Sequence, residues 1–492
     1  MDRHTLRDTA FAALGAGRPD AATLAELRRA QFGKHLLLLR ETAREDPDFW
    51  YAAEHADPEG FRRRVADPLF GAWAAARLRA RRADSHQGEA GRPAGNEEGR
   101  PRETAEGEGG GPETAGSHRP PAADPARWLV AEEDGLTFRV RLEDRDPARA
   151  LLGLTPAGAL ADAGAARWQD CLAGAWRMLV RRHRAAAETL AAVVTVLVPV
   201  EPDPAARGIS ATSADAFGAV AMSAPDDVTA MAVGLLHEAQ HSILNATTYL
   251  FDLLERPDEL GYSPWRDDPR PASGILHGAY AYLAVTRFWR AEADGGSRLA
   301  AFEFARWRAA VAAAVENLGP LTPAGRRFVG ALRDEVRPWL DEPVGPEIER
   351  LSRIANADHR LRWRLRNLTV DPDDLDRLGQ AWRAGGPPPE VRARLRPGTR
   401  RAFESSDRLD LIHATVKGDH PPRPGGRATA GDIALLRGDH GTAECAYLEG
   451  DVPAWTGLAL ATGHGDRLEL ARAVARREGA DPLAVLRWFG RA

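Results

Sequence analysis

The chain has 492 residues, 43% hydrophobic and 28% charged, the proportions of a globular protein with room for more than one packed core. A formal charge of -5 and an isoelectric point near 6.3 exclude the basic footprint of a nucleic-acid or anionic-membrane binder. The two cysteines, Cys171 and Cys445, lie far apart and form neither a CxxC pair nor a disulfide framework. That points to a reducing compartment and away from thiolate metal ligation.

Residues 1–82 read as an N-terminal helical region, with Leu24, Leu27, Phe32, Leu36, Leu37 and Leu39 at roughly helical spacing. Its charged start contains no apolar secretory core, so a cytoplasmic location is expected. Residues 83–125 turn abruptly to Gly, Glu, Pro, Ser and Arg. Such a stretch cannot bury enough surface to offset its ordering entropy, and it reads as a disordered insertion. Residues 126–384 form the expected metal-binding catalytic domain. Gly135–Leu142 suggests a strand or hairpin, and Trp168–Ala192 a long amphipathic helix. Strands follow at Ala192–Val200 and Phe217–Ser223. The first of these apolar runs is too short to span a bilayer. Between them lies the hydroxyl-rich stretch Gly208–Ser213, and Ser223 or Asp226 is placed to cap the helix that follows. A second strong helix begins at Ser273 and ends near Gly295, and further helices reach Leu368. Residues 385–426 read as a Pro/Gly/Arg-rich linker, and 427–492 as a C-terminal helical-hairpin unit of tetratricopeptide-like pattern. The expected class is α+β and predominantly helical, with a metallopeptidase-like strand and HExxH-helix core.

The chemistry concentrates in His237-Glu238-Ala239-Gln240-His241. Histidines four apart on a helix share one face, one turn apart in height, so both imidazoles can reach one ion. Glu238 stands beside them as the catalytic candidate. A third ligand is needed, and His277, near the start of the next strong helix, is the best placed. Glu259 is an alternative in what reads as a surface turn, whereas Asp252 and Glu255 lie too far along the motif helix. The extended HExxHxxGxxH pattern is absent, and no methionine follows Met231 to build a Met turn.

Four blocks in order resemble a known family: Gly208–Ser223, His237–Asn245, Tyr262–Pro271 and Leu276–Tyr280. They are similar to the actinobacterial HEXXH-motif peptide-modification proteins, and the resemblance covers nearly the whole chain outside the 83–125 insertion. It implies a short, ribosomally made precursor peptide as substrate and a radical SAM enzyme as possible partner. It also implies iron(II)- and 2-oxoglutarate-dependent hydroxylation of a side-chain β-carbon.

Non-haem iron(II) takes three facial protein ligands and leaves positions for a bidentate 2-oxo acid and O₂. His237, His241 and His277 would supply the three. Arg266, Arg270 and Arg287 are candidates to hold the distal carboxylate of 2-oxoglutarate, because the planar guanidinium fits it. Ser210, Thr212, Ser213 and Phe217 are candidate substrate-binding residues, with β-addition of a peptide along Phe217–Ser223. Two other readings stay open. One is a zinc(II) metallopeptidase with Glu238 as general base. The other is a non-catalytic peptide-docking protein with a structural metal.

Overall fold

In the computed structural model, which describes residues 6–89, 127–203, 208–396, 406–418, 429–448 and 452–490, helix takes 66% and strand 9%. The fold is therefore α+β and predominantly helical, as the sequence predicts. Most of the insertion expected at 83–125 lies outside the described residues, but its beginning continues a helix, Pro68–Glu89. Among the described residues no helix is long and apolar enough to cross a membrane. Two compact units are present: Met1–Leu253 with Pro323–Ala331, and Leu254–Thr322 with Leu332–Ala492.

In the first unit, helices Ala21–Thr42, Pro47–Ala56 and Pro58–Ala66 start at Asp20, Asp46 and Asp57, whose carboxylates accept from backbone N–H groups in the first turn. Proline opens the last two, where its missing donor costs nothing. These helices and Pro68–Glu89 form a layer over one sheet face. Trp50, Val65, Phe70 and Trp73 pack against alternate residues Val196, Val198 and Val200, and against Ala219 and Ala221.

The sheet contains β1 (Arg127–Glu133), β2 (Leu136–Leu142), β3 (Val196–Val200), β4 (Ser210–Ala211) and β5 (Ala219–Ser223), in spatial order β1-β2-β3-β5-β4. Strands β1 and β2 are an antiparallel hairpin turned at Asp134-Gly135, both at positive φ, a pairing that matches strand twist. Strands β2, β3 and β5 run parallel, and every residue of β3 and β5 is buried, which explains why all of them but Ser223 are apolar.

Several expectations need correction. The helix expected over Trp168–Ala192 is two helices, Asp162–Arg182 and Arg184–Val193, because His183 leaves the helical conformation (φ −136°, ψ 41°). No Gly or Pro marks that break. Both strands begin later than expected, since Val193 still belongs to a helix and Gly218 turns at φ 88° before β5. Strand β5 is not an edge: it pairs with β3 on one side and with β4 on the other (Ser210 opposite Met222, Ala211 opposite Ala221). β-Addition along Ala221–Ser223 is thereby blocked, and the sheet edges are β4 and β1. The β1 edge is itself engaged by Gln169, which bonds Val130 through both its N–H and its carbonyl.

In the second unit, helices Ala272–Ala293 and Arg298–Glu316 are followed by Pro346–Asn367, against which the C-terminal helices pack through Leu361, Leu378, Leu435, Leu458, Leu468 and Leu486. The 385–426 linker contains a helix, Asp407–Lys417, that begins at Ser406 and closes on the left-handed Gly418. Its Arg408 is 4% exposed and joins Asp358, Asp432, Tyr447 and Thr456 in a buried polar cluster. Surrounding Pro, Gly and Arg masked this short helix in the sequence. Residues 397–405 and 419–426 of that linker lie outside the described set.

Candidate metal centre

The motif helix runs from Val228 to Leu250 and is capped by Asp227, not by Ser223 or Asp226 as expected; the Asp227 carboxylate accepts from Ala230 N at 2.8 Å. Ser223 is used elsewhere: its hydroxyl accepts from Ile209 N at 3.1 Å, and its own N–H donates to Ile209 O at 2.9 Å. Leu235, Leu236, Ile243 and Leu244 are buried and hold the helix in place, leaving His237 and His241 half-buried on one side.

The i, i+4 spacing does what it promised. His237 Nε2 and His241 Nε2 lie 3.0 Å apart, with the rings nearly perpendicular at 82°. One ion at a bond length of roughly 2.0–2.1 Å from each nitrogen spans such a gap. Burial pushes the His237 imidazolium down to about 4, so this ring is neutral at physiological pH, the form in which an imidazole can ligate a metal.

Glu238 is 1% exposed, and its Oε1 lies 4.0 Å from His237 Nε2. Burial raises its carboxyl to about 7, against the lowering effect of hydroxyls from Ser210 and Thr212. Ser210 Oγ donates to Oε1 at 2.6 Å, while Oε2 is buried with no conventional hydrogen-bond partner among the described residues. A bound ion or its water would satisfy such an oxygen. Donor atoms of His237, Glu238 and His241 all fall within 4.8 Å of one another, and among the described residues this is the only such metal-capable group. Two neutral imidazoles beside a buried carboxyl suit a divalent cation, so the residues present fit a metal.

The remaining sequence candidates are dispersed. Ser210 and Thr212 serve Glu238. Ser213 instead accepts from Asp215 N at 3.2 Å, in a turn anchored where Lys34 and Arg79 pair with Asp215. Phe217 is half-buried, just ahead of β5. His277 belongs to the second unit, in the second turn of Ala272–Ala293 and not the first. Burial lowers it to about 4, again the neutral ligand form. All three candidate arginines face carboxylates: Arg266 Nε at 3.0 Å from Asp268, Arg270 at 3.5 Å from the same Asp268, and Arg287 at 3.2 Å from Glu335.

The loop that carries Arg266 is firmly seated within its own unit. Trp265 stacks on Tyr282 at 5.1 Å, over Gly278, where an added Cβ would sit 1.8 Å from the indole nitrogen. Tyr262 OH lies 2.8 Å from His359 Nδ1, His359 Nε2 lies 3.3 Å from Asp267, and Asn367 donates to Asp267 O at 2.8 Å. Sequence reasoning missed this buried network, because its halves are about a hundred residues apart and neither forms a local motif. No protein-family model and no curated protein matches the chain.

Proposed function

We propose that the chain is a non-haem iron(II)- and 2-oxoglutarate-dependent hydroxylase that oxidises a side-chain β-carbon in a ribosomally made precursor peptide. The observation that carries the metal part of this reading is the His237–His241 nitrogen pair 3.0 Å apart, with the buried Glu238 carboxyl beside it. The iron and peptide parts rest on the family resemblance. His277 would be the third ligand, and three neutral histidines leave a charge that a dianionic co-substrate offsets. Bound iron(II), with a 2-oxo acid and dioxygen, supplies an oxidant able to attack an unactivated carbon.

Arg266 and Arg270, which both face Asp268, and Arg287, which faces Glu335, are the candidates for the distal carboxylate of 2-oxoglutarate. The peptide adds as a strand to the outer edge of β4, the sheet edge next to the segment that meets Glu238. The succession of β5 and the motif helix supports a metallopeptidase-like core. The C-terminal helices are read as a tetratricopeptide-like docking unit for the peptide or a radical SAM partner in the cytoplasm.

A zinc peptidase is the second reading, because a buried carboxyl lifted to about 7 beside two imidazoles is also where a general base would stand. Incubating the protein, iron(II) and 2-oxoglutarate with the precursor peptide encoded beside its gene separates the two. Succinate and a peptide one oxygen heavier support the hydroxylase. Cleavage with zinc(II) and no co-substrate replaces it with the peptidase.

A further inference from the structure

Ser210 sits on the edge strand β4, yet its hydroxyl turns inward and gives a 2.6 Å hydrogen bond to a carboxyl that is 1% exposed. Thr212, two residues on and so on the same side of the extended chain, contributes a second hydroxyl to the same group. The segment that presents them is pinned next door: Ile209 exchanges two hydrogen bonds with Ser223, and Ser210 and Ala211 pair with Met222 and Ala221. A donor presented from a fixed backbone restricts the torsions of Glu238 through Oε1, the oxygen that lies 4.0 Å from His237 Nε2. The other, Oε2, is buried without a conventional hydrogen-bond partner among the described residues.

We propose that Ser210, assisted by Thr212, is a positioning residue: it holds the Glu238 carboxyl through Oε1 and so fixes it in place beside the His237–His241 nitrogen pair. This rests on the reading of His237 and His241 as metal ligands. It also commits the Ser210 hydroxyl to Glu238 and not to substrate.

The test uses cobalt(II), whose visible absorption reports its ligand field, titrated into the full chain. Outer-shell partners of a metal site are worth about 10- to 100-fold in metal affinity or activity. Ser210→Ala is expected to weaken cobalt affinity by about 10-fold or more and to change the spectrum. Ser210→Thr, which keeps a hydroxyl on a residue suited to strands, restores both. Ser213→Ala is the control, because that hydroxyl serves Asp215 N.

In a Glu238→Ala background, adding Ser210→Ala should have no further effect, whereas a merely structural role would add its cost again. Unchanged affinity and spectrum in Ser210→Ala, or full additivity with Glu238→Ala, overturns the proposal and leaves the metal site standing. Wild-type protein that binds no cobalt, or binds it equally after His237→Ala, overturns the metal reading and this proposal with it.

Discussion

The side-chain amide of Gln169 brackets Val130: its Oε1 accepts from the backbone N–H at 3.0 Å, and its Nε2 donates to the carbonyl at 2.7 Å. A side chain thus occupies the place of a neighbouring strand on the outer edge of β1. Trp128 and Val130 on that strand are 44% and 40% exposed, so without the bracket the edge would be both apolar and unpaired, the usual template for association.

Gln169→Ala is accordingly expected to cost about 1 kcal/mol of stability and to promote concentration-dependent self-association. Static light scattering across a dilution series checks it. An unchanged monomer mass and melting temperature would refute the edge-protection role.

The histidine pair predicts a ligand-linked stability. A divalent ion at about 100 times its Kd should stabilise the chain by about 2.7 kcal/mol, visible as a rise in Tm that a chelator reverses. His237→Ala and His241→Ala should each abolish that rise while leaving the metal-free Tm within a few degrees. If both variants retain the shift, the ion binds elsewhere.

The Asp358–Arg408 cluster predicts an acid limb of stability. Burial would raise the Asp358 carboxyl, but Arg408 and Arg362 outweigh it and hold the group below its ordinary 3.8. Because the folded value lies below the unfolded one, the stabilisation is complete above about pH 5 and is lost as pH falls through the folded value. Urea unfolding between pH 5 and pH 2 should show that decline. Asp358→Asn should lower stability by about 3 kcal/mol at neutral pH, since Arg408 and Arg362 lose a buried partner, and should flatten the decline.

Gly278→Ala sets two effects against each other. Alanine in a helix is favoured over glycine by about 1 kcal/mol, but here its Cβ would sit 1.8 Å from the Trp265 indole nitrogen. Overpacking costs about 1–3 kcal/mol, so a net loss is expected together with a change in tryptophan emission as Trp265 leaves Tyr282. A more stable variant with unaltered emission would mean that Trp265 shifts at no cost.

Much of this was legible in the sequence where the signal is local. The i, i+4 histidines and the buried strands are short-range patterns whose physics is complete within a few residues. Ser210 was visible as part of a hydroxyl-rich stretch. Its bond to Glu238, twenty-eight positions away, was not, because only the pairing of β4 with β5 brings them together. The break at His183 escaped for a different reason: an amphipathic pattern can continue in register across a single non-helical residue. The Asp407–Lys417 helix was hidden by the composition around it, and the role of Gln169 by the fact that a side chain can imitate a strand.

The anchorage of the Trp265 loop carries a consequence for how the chain comes into being. Tyr262 is held by His359, 97 residues later, and Asp267 by Asn367, 100 residues later. During synthesis the loop therefore lacks these two tethers until translation has passed residue 367, long after the motif helix has emerged from the ribosome. A truncation ending before Pro346 would leave the loop only its local anchors, Trp265 on Tyr282 and the pairing of Leu260 and Gly261 with Pro271 and Arg270, without the hydrogen bonds of His359 and Asn367.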